Sequence, residues 1–255
     1  MAKKKSEPIE KTNANTIDTT EGYTVITPEE FMQLQGGGMQ TVMNIGLAEK
    51  LYLDDLQDRI FYLDGEVNED ILHSITMQIY KINGAEVNNT DKENMLPIII
   101  VINSGGGSVL DGLALCDAIN QSQVPIIGVC VGYAYSMAFN IFTQCHIRVA
   151  TKNSSFLYHD GWTCDSNTTS KVKDAAKFYE KVDERVNKMI ANRTKLTTNY
   201  LSSVARADNY WFADEGKENG FVDAIIGEDI SMGELFGYSG ESDGSVCTCD
   251  KCNDN

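Results

Sequence analysis

Ser136 stands in Gly132-Tyr133-Ala134-Tyr135-Ser136-Met137-Ala138, between the apolar run Val124–Val131 and a stretch with helical periodicity. A small-residue turn between a strand and a helix lifts a side chain clear of the backbone. The helix after it aims its unpaired N–H groups at whatever binds beside that side chain. A serine so placed meets the requirements of a nucleophile with an oxyanion hole next to it. It also needs a base, and the chain holds only three histidines. His73 falls within an amphipathic helix and reads as structural. His146 follows Cys145 at a helix end, where an imidazolium would suit the dipole. His159 closes Phe156-Leu157-Tyr158 and precedes Asp160-Gly161, a strand terminus backed by a turn, which favours it as the general base. A third group must orient the imidazole. Spacing alone does not choose among Asp160, Asp165, Asp208 and Asp223, although Asp208 precedes Tyr210-Trp211-Phe212, which would shield a carboxylate from water.

A second glycine-rich turn, Ser104-Gly105-Gly106-Gly107, comes after the run Ile98–Ile102. It lacks the Gly-Lys-Ser/Thr of a phosphate-binding loop and the spacing of a dinucleotide fingerprint. Its other use is close backbone approach, so that an amide N–H reaches a developing oxyanion.

These residues need a scaffold. Ile98–Ile102 and Ile126–Val131 are continuously apolar, and each is succeeded by a helical pattern, Val109–Asn120 and Met137–Thr143. Such alternation predicts an α/β fold whose parallel sheet is covered on both faces. Short strands are expected at Arg59–Leu63, Ile147–Ala150 and Phe156–His159, and helices at Leu47–Leu56 and after Asn68, with an apolar stripe of Ile71, Leu72, Ile75, Ile79 and Ile82. Thr27-Pro28-Glu29-Glu30 predicts a further helix start. Over Ser170–Asn192, Val172, Ala175, Tyr179, Val182, Val186 and Met189 recur in steps of 3, 4, 3, 4 and 3. That seam requires cover, either from its own domain or from another subunit. Residues 208–226 return to strand-like and turn-like apolar sequence.

Composition bounds the reading. The chain has 255 residues, 42% of them hydrophobic, enough for one α/β domain with appendages. With 21 Lys+Arg against 37 Asp+Glu, the net charge of −16 argues against nucleic acid and anionic lipid as partners. No apolar run reaches membrane-spanning length, and the basic Met1–Lys5 leads into no apolar segment of a secretory signal. Seven cysteines, four of them (Cys116, Cys130, Cys145, Cys164) in core-like segments, read as reduced thiols in a cytoplasmic protein. The tail residues Cys247, Cys249 and Cys252 are weak candidates for a zinc site, short of the four ligands a structural site needs; a reduced tail without metal is the simpler expectation.

Asn103-Ser104-Gly105-Gly106-Gly107, the segment around Ser136, Tyr158-His159 and Gly220-Phe221-Val222-Asp223 together resemble the Clp-type proteolytic subunit, a self-compartmentalising serine peptidase. The resemblance spans about Leu51 to Gly227. It implies a crotonase-like fold of repeated ββα units with a protruding handle helix, here Ser170–Asn192. It also implies Ser136 as nucleophile, His159 as base and Asp208 as orienting acid, with the N–H groups of Gly107 and Met137 forming the oxyanion hole. No cofactor follows from it. The partners it implies are further copies of the chain in stacked, heptameric rings, an AAA+ unfoldase using ATP, and polypeptide substrates. The expected organisation is a variable N-terminal segment over 1–45, the peptidase domain over 46–230, and a polar Cys-containing tail over 231–255. The family usually has Pro where Gly105 stands, so the loop is expected to be less rigid. The long, unlike N-terminal segment suggests a divergent, phage-encoded relative. Two alternatives compete with an unfoldase-linked endopeptidase: a capsid-maturation protease or catalytically silent scaffold of a phage, and a CoA-thioester enzyme on the same fold.

Overall fold

In the computed structural model, residues 47–91, 95–162 and 166–236 are described. The chain divides into two compact units, Met1–Lys50 and Leu51–Asn255. Of the first, only residues 47–50 are among those described; the sheet and the helices packed on it belong to the second. The helix expected from Thr27, and the residues Asp165, Cys164 and Cys247–Cys252, lie outside the described residues.

The two continuously apolar runs are the centre of the sheet. β3 (Ile98–Ser104) pairs in parallel with β1 (Ile60–Leu63) on one edge and with β5 (Ile126–Tyr135) on the other. Along β3, Ile98, Ile100 and Ile102 join the main core with α2 (Met77–Ala85), α3 (Val109–Gln121), α4 (Met137–Gln144) and the C-terminal half of α5 (Thr169–Arg193). The alternate residues Ile99 and Val101 face the other way, toward a small cluster with Val129, Val149, Leu235 and Phe236. Cover on that second face is partial, because Tyr62, Val131, Tyr133 and Ile147 stay exposed.

β5 is longer than the expected Ile126–Val131. Its first half pairs with β6 (Ile147–Thr151), its second half with β7 (Ser155–Tyr158), on the same edge. Between the halves the β3–β5 register shifts, from Ile102↔Cys130 to Ser104↔Ala134. Asn103 stabilises the bulge: its Oδ1 accepts the Tyr133 N–H at 3.3 Å, and a Cβ at Gly132 would lie 2.4 Å from that oxygen. The small residues read as a turn are therefore mostly strand, and the turn itself is Ser136 alone. β6 continues to β9 (Ala224–Ile226) in parallel, and β7 pairs antiparallel with β8 (Asn209–Phe212). A separate two-residue ladder joins β2 (Glu66–Val67) to β4 (Gly106–Gly107).

Two expectations about helices are modified. The stripe after Asn68 is interrupted by a π-helical turn, Leu72–Thr76, before α2. The extra residue in that turn carries Leu72 out to solvent, while Ile71, Ile75 and Ile79 remain buried. In α5 the seam divides: Val182 and Val186 are buried on the domain, as is Ile190 next to the seam, whereas Val172 is exposed, as is Phe178 off the seam. The helix thus both packs and protrudes. Its C-terminal end is held by Arg148, which forks onto Asp223 (Nε–Oδ2 2.9 Å, Nη2–Oδ1 2.6 Å) and donates to the Arg193 carbonyl. The first helix, α1 (Leu47–Gln57), runs one residue past its expected end. The short α6 (Thr198–Val204) and α7 (Ala213–Glu218) have too few turns to show a period in sequence and were not expected.

Cys116, Cys130 and Cys145 are buried free thiols. Burial raises all three, Cys130 to about 11 and Cys145 to about 12, so they stay protonated and inert at neutral pH.

Candidate active site

Ser136 sits where the β5–β7 ladder ends and α4 begins. Its N–H donates to the Leu157 carbonyl at 2.9 Å, and its own carbonyl accepts the first helical bond, from the Asn140 N–H at 3.2 Å. Satisfying both elements in one residue forces φ 53°, ψ −122°. A β-carbon is strained there by about 1–3 kcal/mol, a cost kept where the surroundings over-determine the backbone. A serine in this position ordinarily folds its hydroxyl back to cap the helix. Ser136 makes no such bond. Its Oγ lies 2.8 Å from His159 Nε2.

His159 comes directly after β7, and the Asp160 N–H donates to the Ala205 carbonyl at 2.8 Å, fixing the turn. Because β7 and β8 run antiparallel with Tyr158 opposite Asn209, the next pair outward is His159 and Asp208. Nδ1 of His159 is 3.4 Å from Asp208 Oδ1. Asn209 guides the incoming chain, its amide donating to the carbonyls of Val204 and Ala207 at 2.7 Å each.

The other candidates part company with this pair. Asp223 is engaged by Arg148, 75 residues away in sequence, and is structural. His73 is exposed on the π-helical turn. His146 accepts the Ile126 N–H on Nδ1 at 3.0 Å, and burial, with Arg193 nearby, lowers its pKa. It is therefore a neutral imidazole in a hydrogen-bonded corner, and the helix-end imidazolium is corrected. The expected aromatic shield over Asp208 is corrected too. Its carboxylate is 59% exposed, because Tyr210 and Phe212 point to solvent and only Trp211 turns into the core.

The glycine-rich turn closes the other side. Gly106 has φ 91°, and a Cβ on it would meet the Tyr135 carbonyl at 2.6 Å, the Met137 nitrogen at 2.8 Å and Ser136 Cβ at 2.8 Å. Gly107 has φ 148°, and a Cβ there would lie 2.4 Å from the Val67 carbonyl. The turn is pinned although proline is absent at Gly105: the buried Ser104 hydroxyl accepts the Gly106 N–H at 3.1 Å and donates to the Gly65 carbonyl. Two clefts meet at Ser136 and His159. One, of about 560 Å³, runs along β4 past Gly105, Gly107 and Trp162. The other, of about 340 Å³, extends behind Ser136 between α4, α5 and α6. The inner wall of this second cleft, formed by Asn140, Tyr158, Asp183 and Asn187, was not singled out by sequence, because no local pattern brings α5 against the start of α4.

The Clp protease family profile matches residues 47–229. The chain belongs to the Clp protease family. The match covers the strands, the Ser136 turn, His159 and Asp208 in one span. Membership makes the chain a Clp-type proteolytic subunit and a hydrolase of peptide bonds, and the parallel sheet with its packed helices is the mixed α/β architecture of that family. Members of this family generally form oligomeric rings. No helix among the described residues is long and apolar enough to cross a membrane.

Proposed function

We propose that this Clp-type subunit is a serine endopeptidase working through Ser136, His159 and Asp208. The observation that carries this reading is the 2.8 Å contact between Ser136 Oγ and His159 Nε2, formed by a serine that forgoes the helix cap open to it. In the reaction, Oγ attacks the scissile carbonyl carbon while its proton passes to Nε2. The carbonyl oxygen takes up the negative charge and receives hydrogen bonds from the N–H groups of Gly107 and Met137, the latter at the positive end of α4. His159 then gives its proton to the departing amine nitrogen, the C–N bond breaks, and an ester on Ser136 remains. Water, losing a proton to His159, attacks that ester; the ester C–O bond breaks, His159 returns the proton to Oγ, and the acid leaves with Ser136 restored. Asp208 holds the imidazole in the tautomer with its proton on Nδ1.

The substrate backbone pairs with the edge of β4 at Gly105–Gly107, as an added strand. Assembly into stacked heptameric rings through the uncovered half of α5 encloses the site, and an AAA+ unfoldase using ATP supplies unfolded chains to it in the cytoplasm. The exposed Val172 and Phe178 support that use of α5. The test is covalent labelling with a fluorophosphonate probe. Wild type labels on Ser136, and Ser136→Ala loses both labelling and peptide hydrolysis. Undiminished labelling of Ser136→Ala would overturn the assignment.

A further inference from the structure

The two amides assigned to the oxyanion hole lead into two different helices, and the seam between those helices closes on a glycine. Gly107 leads into α3 through Ser108, whose N–H donates to the Val67 carbonyl at 2.7 Å and whose hydroxyl caps the helix by accepting the Asp111 N–H at 3.4 Å. Met137 is the first residue of α4. Each donor is thereby fixed to its own helix, which leaves the approach of α3 to α4 to decide how far apart the two N–H groups stand. One turn into α3 lies Gly112, buried, its N–H bonded to the Ser108 carbonyl at 3.1 Å. A Cβ there would fall 2.4 Å from Met137 Cγ, 2.6 Å from its Cε and 3.0 Å from its Sδ. The Met137 side chain therefore lies along the bare backbone of Gly112. It has no free space to retreat into, since Met137 is 1% exposed and its sulfur accepts the Asn140 amide at 3.5 Å. Its Cγ, one bond beyond Cβ, moves only if χ1 or the α4 backbone moves. On propensity alone alanine would be the better helix former at this position. The contact with Met137 is what excludes it.

We propose that Gly112 is a positioning residue: by seating the Met137 side chain it sets the spacing of the Gly107 and Met137 N–H groups, and with it the strength of the oxyanion hole. The inference rests on the serine endopeptidase reading and adds to it a residue that acts through Met137 alone. Charge develops on the substrate oxygen only on the way to the tetrahedral state. Donors displaced by a fraction of an ångström therefore weaken the transition state and leave ground-state binding unchanged. Gly106 closes the same seam from the loop side, where a Cβ would meet the Met137 nitrogen at 2.8 Å. Gly112 closes it from the helix side.

The test uses the full chain and three variants, Gly112→Ala, Met137→Ala and the two combined. Each is assayed for peptide hydrolysis per Ser136 labelled at completion, and for inhibition by a peptide trifluoromethyl ketone, which forms a tetrahedral oxyanion on the serine. Gly112→Ala is expected to lower kcat by about tenfold or more with KM within about threefold, and to weaken the ketone in parallel with kcat. The double variant, which gives back the room, is expected to exceed either single variant in kcat by about threefold or more. A glycine needed only for folding would lower Tm and the number of labelled sites, and leave kcat per labelled site alone. Wild type that labels on Ser136, with Gly112→Ala equal to it in kcat, overturns the positioning role and leaves the serine peptidase standing. So does a double variant no faster than Met137→Ala, a comparison that holds even where Gly112→Ala does not fold. A wild-type chain that neither labels nor hydrolyses peptide overturns both.

Discussion

At the scale of single residues, the candidate site pairs a constrained nucleophile with a loosely held acid. Ser136 is fixed by two backbone bonds and a positive φ, whereas Asp208 is exposed and 3.4 Å from its histidine. Exposure weakens an ion pair. His159→Ala should therefore lower kcat/KM by about 10³-fold or more, and Asp208→Asn by only roughly 10- to 100-fold, measured on one peptide at saturating and limiting concentration. Equal losses would show that Asp208 is a stronger partner than its exposure indicates. Asp183 carries a second consequence. Its folded pKa is raised by burial and by the charge of Asp160, so the protonated form is favoured by folding, and that stability is lost as pH rises through the folded value. Asp183→Asn should accordingly raise Tm at pH 7–8 by roughly 1–3 °C, the gap closing toward pH 4. A gap that widens in acid would reverse the sign of the argument. Ser136 and His159 were legible in sequence because strand termini and small-residue turns have local signatures. By its own pattern Asp208 was one of four acids, singled out only through the family resemblance, since its place beside His159 depends on the antiparallel register of two strands some fifty residues apart.

At the scale of elements, the β5–Ser136–α4 unit and the glycine-rich turn depend on each other. Gly106 leaves no room for a β-carbon against Tyr135 and Met137, whereas a Cβ on Gly105 would meet nothing within 4 Å. Gly106→Ala should lower fluorophosphonate labelling by about 100-fold or more, while Gly105→Ala stays within about twofold, since displacement of reacting groups by even 1 Å is costly. Both rates are read from the same labelling time course. The strands of the central sheet were legible from continuous apolar runs, because burial on two faces erases alternation. The bulge at Asn103 was not, and it is the reason the small-residue segment is strand rather than turn. Leu72 and the divided seam of α5 show the same limit: periodicity locates a helix but does not say where a π-turn rotates it or where its domain stops.

At the scale of the molecule, the uncovered half of α5 is the surface from which assembly is expected. Val172→Asp with Phe178→Asp should reduce the mass of the assembly by about half, two rings separating into one, as read by light scattering. Unchanged mass would place ring stacking elsewhere. The paired halves of β5 bear on how the whole molecule breathes. Flanked by β3 on one side and by β6 and then β7 on the other, β5 has no free edge over most of its length, so its amides should exchange with deuterium only through global unfolding. The protruding turns of α5, with solvent on most sides, should exchange first. Ser136 is thus moored to the slowest-exchanging strand, while Asp183 and Glu180, on the α5 wall of the cleft behind it, sit where slow exchange gives way to fast. A peptide held at Ser136 should reveal itself as protection spreading from that boundary up the helix, with β5 unchanged.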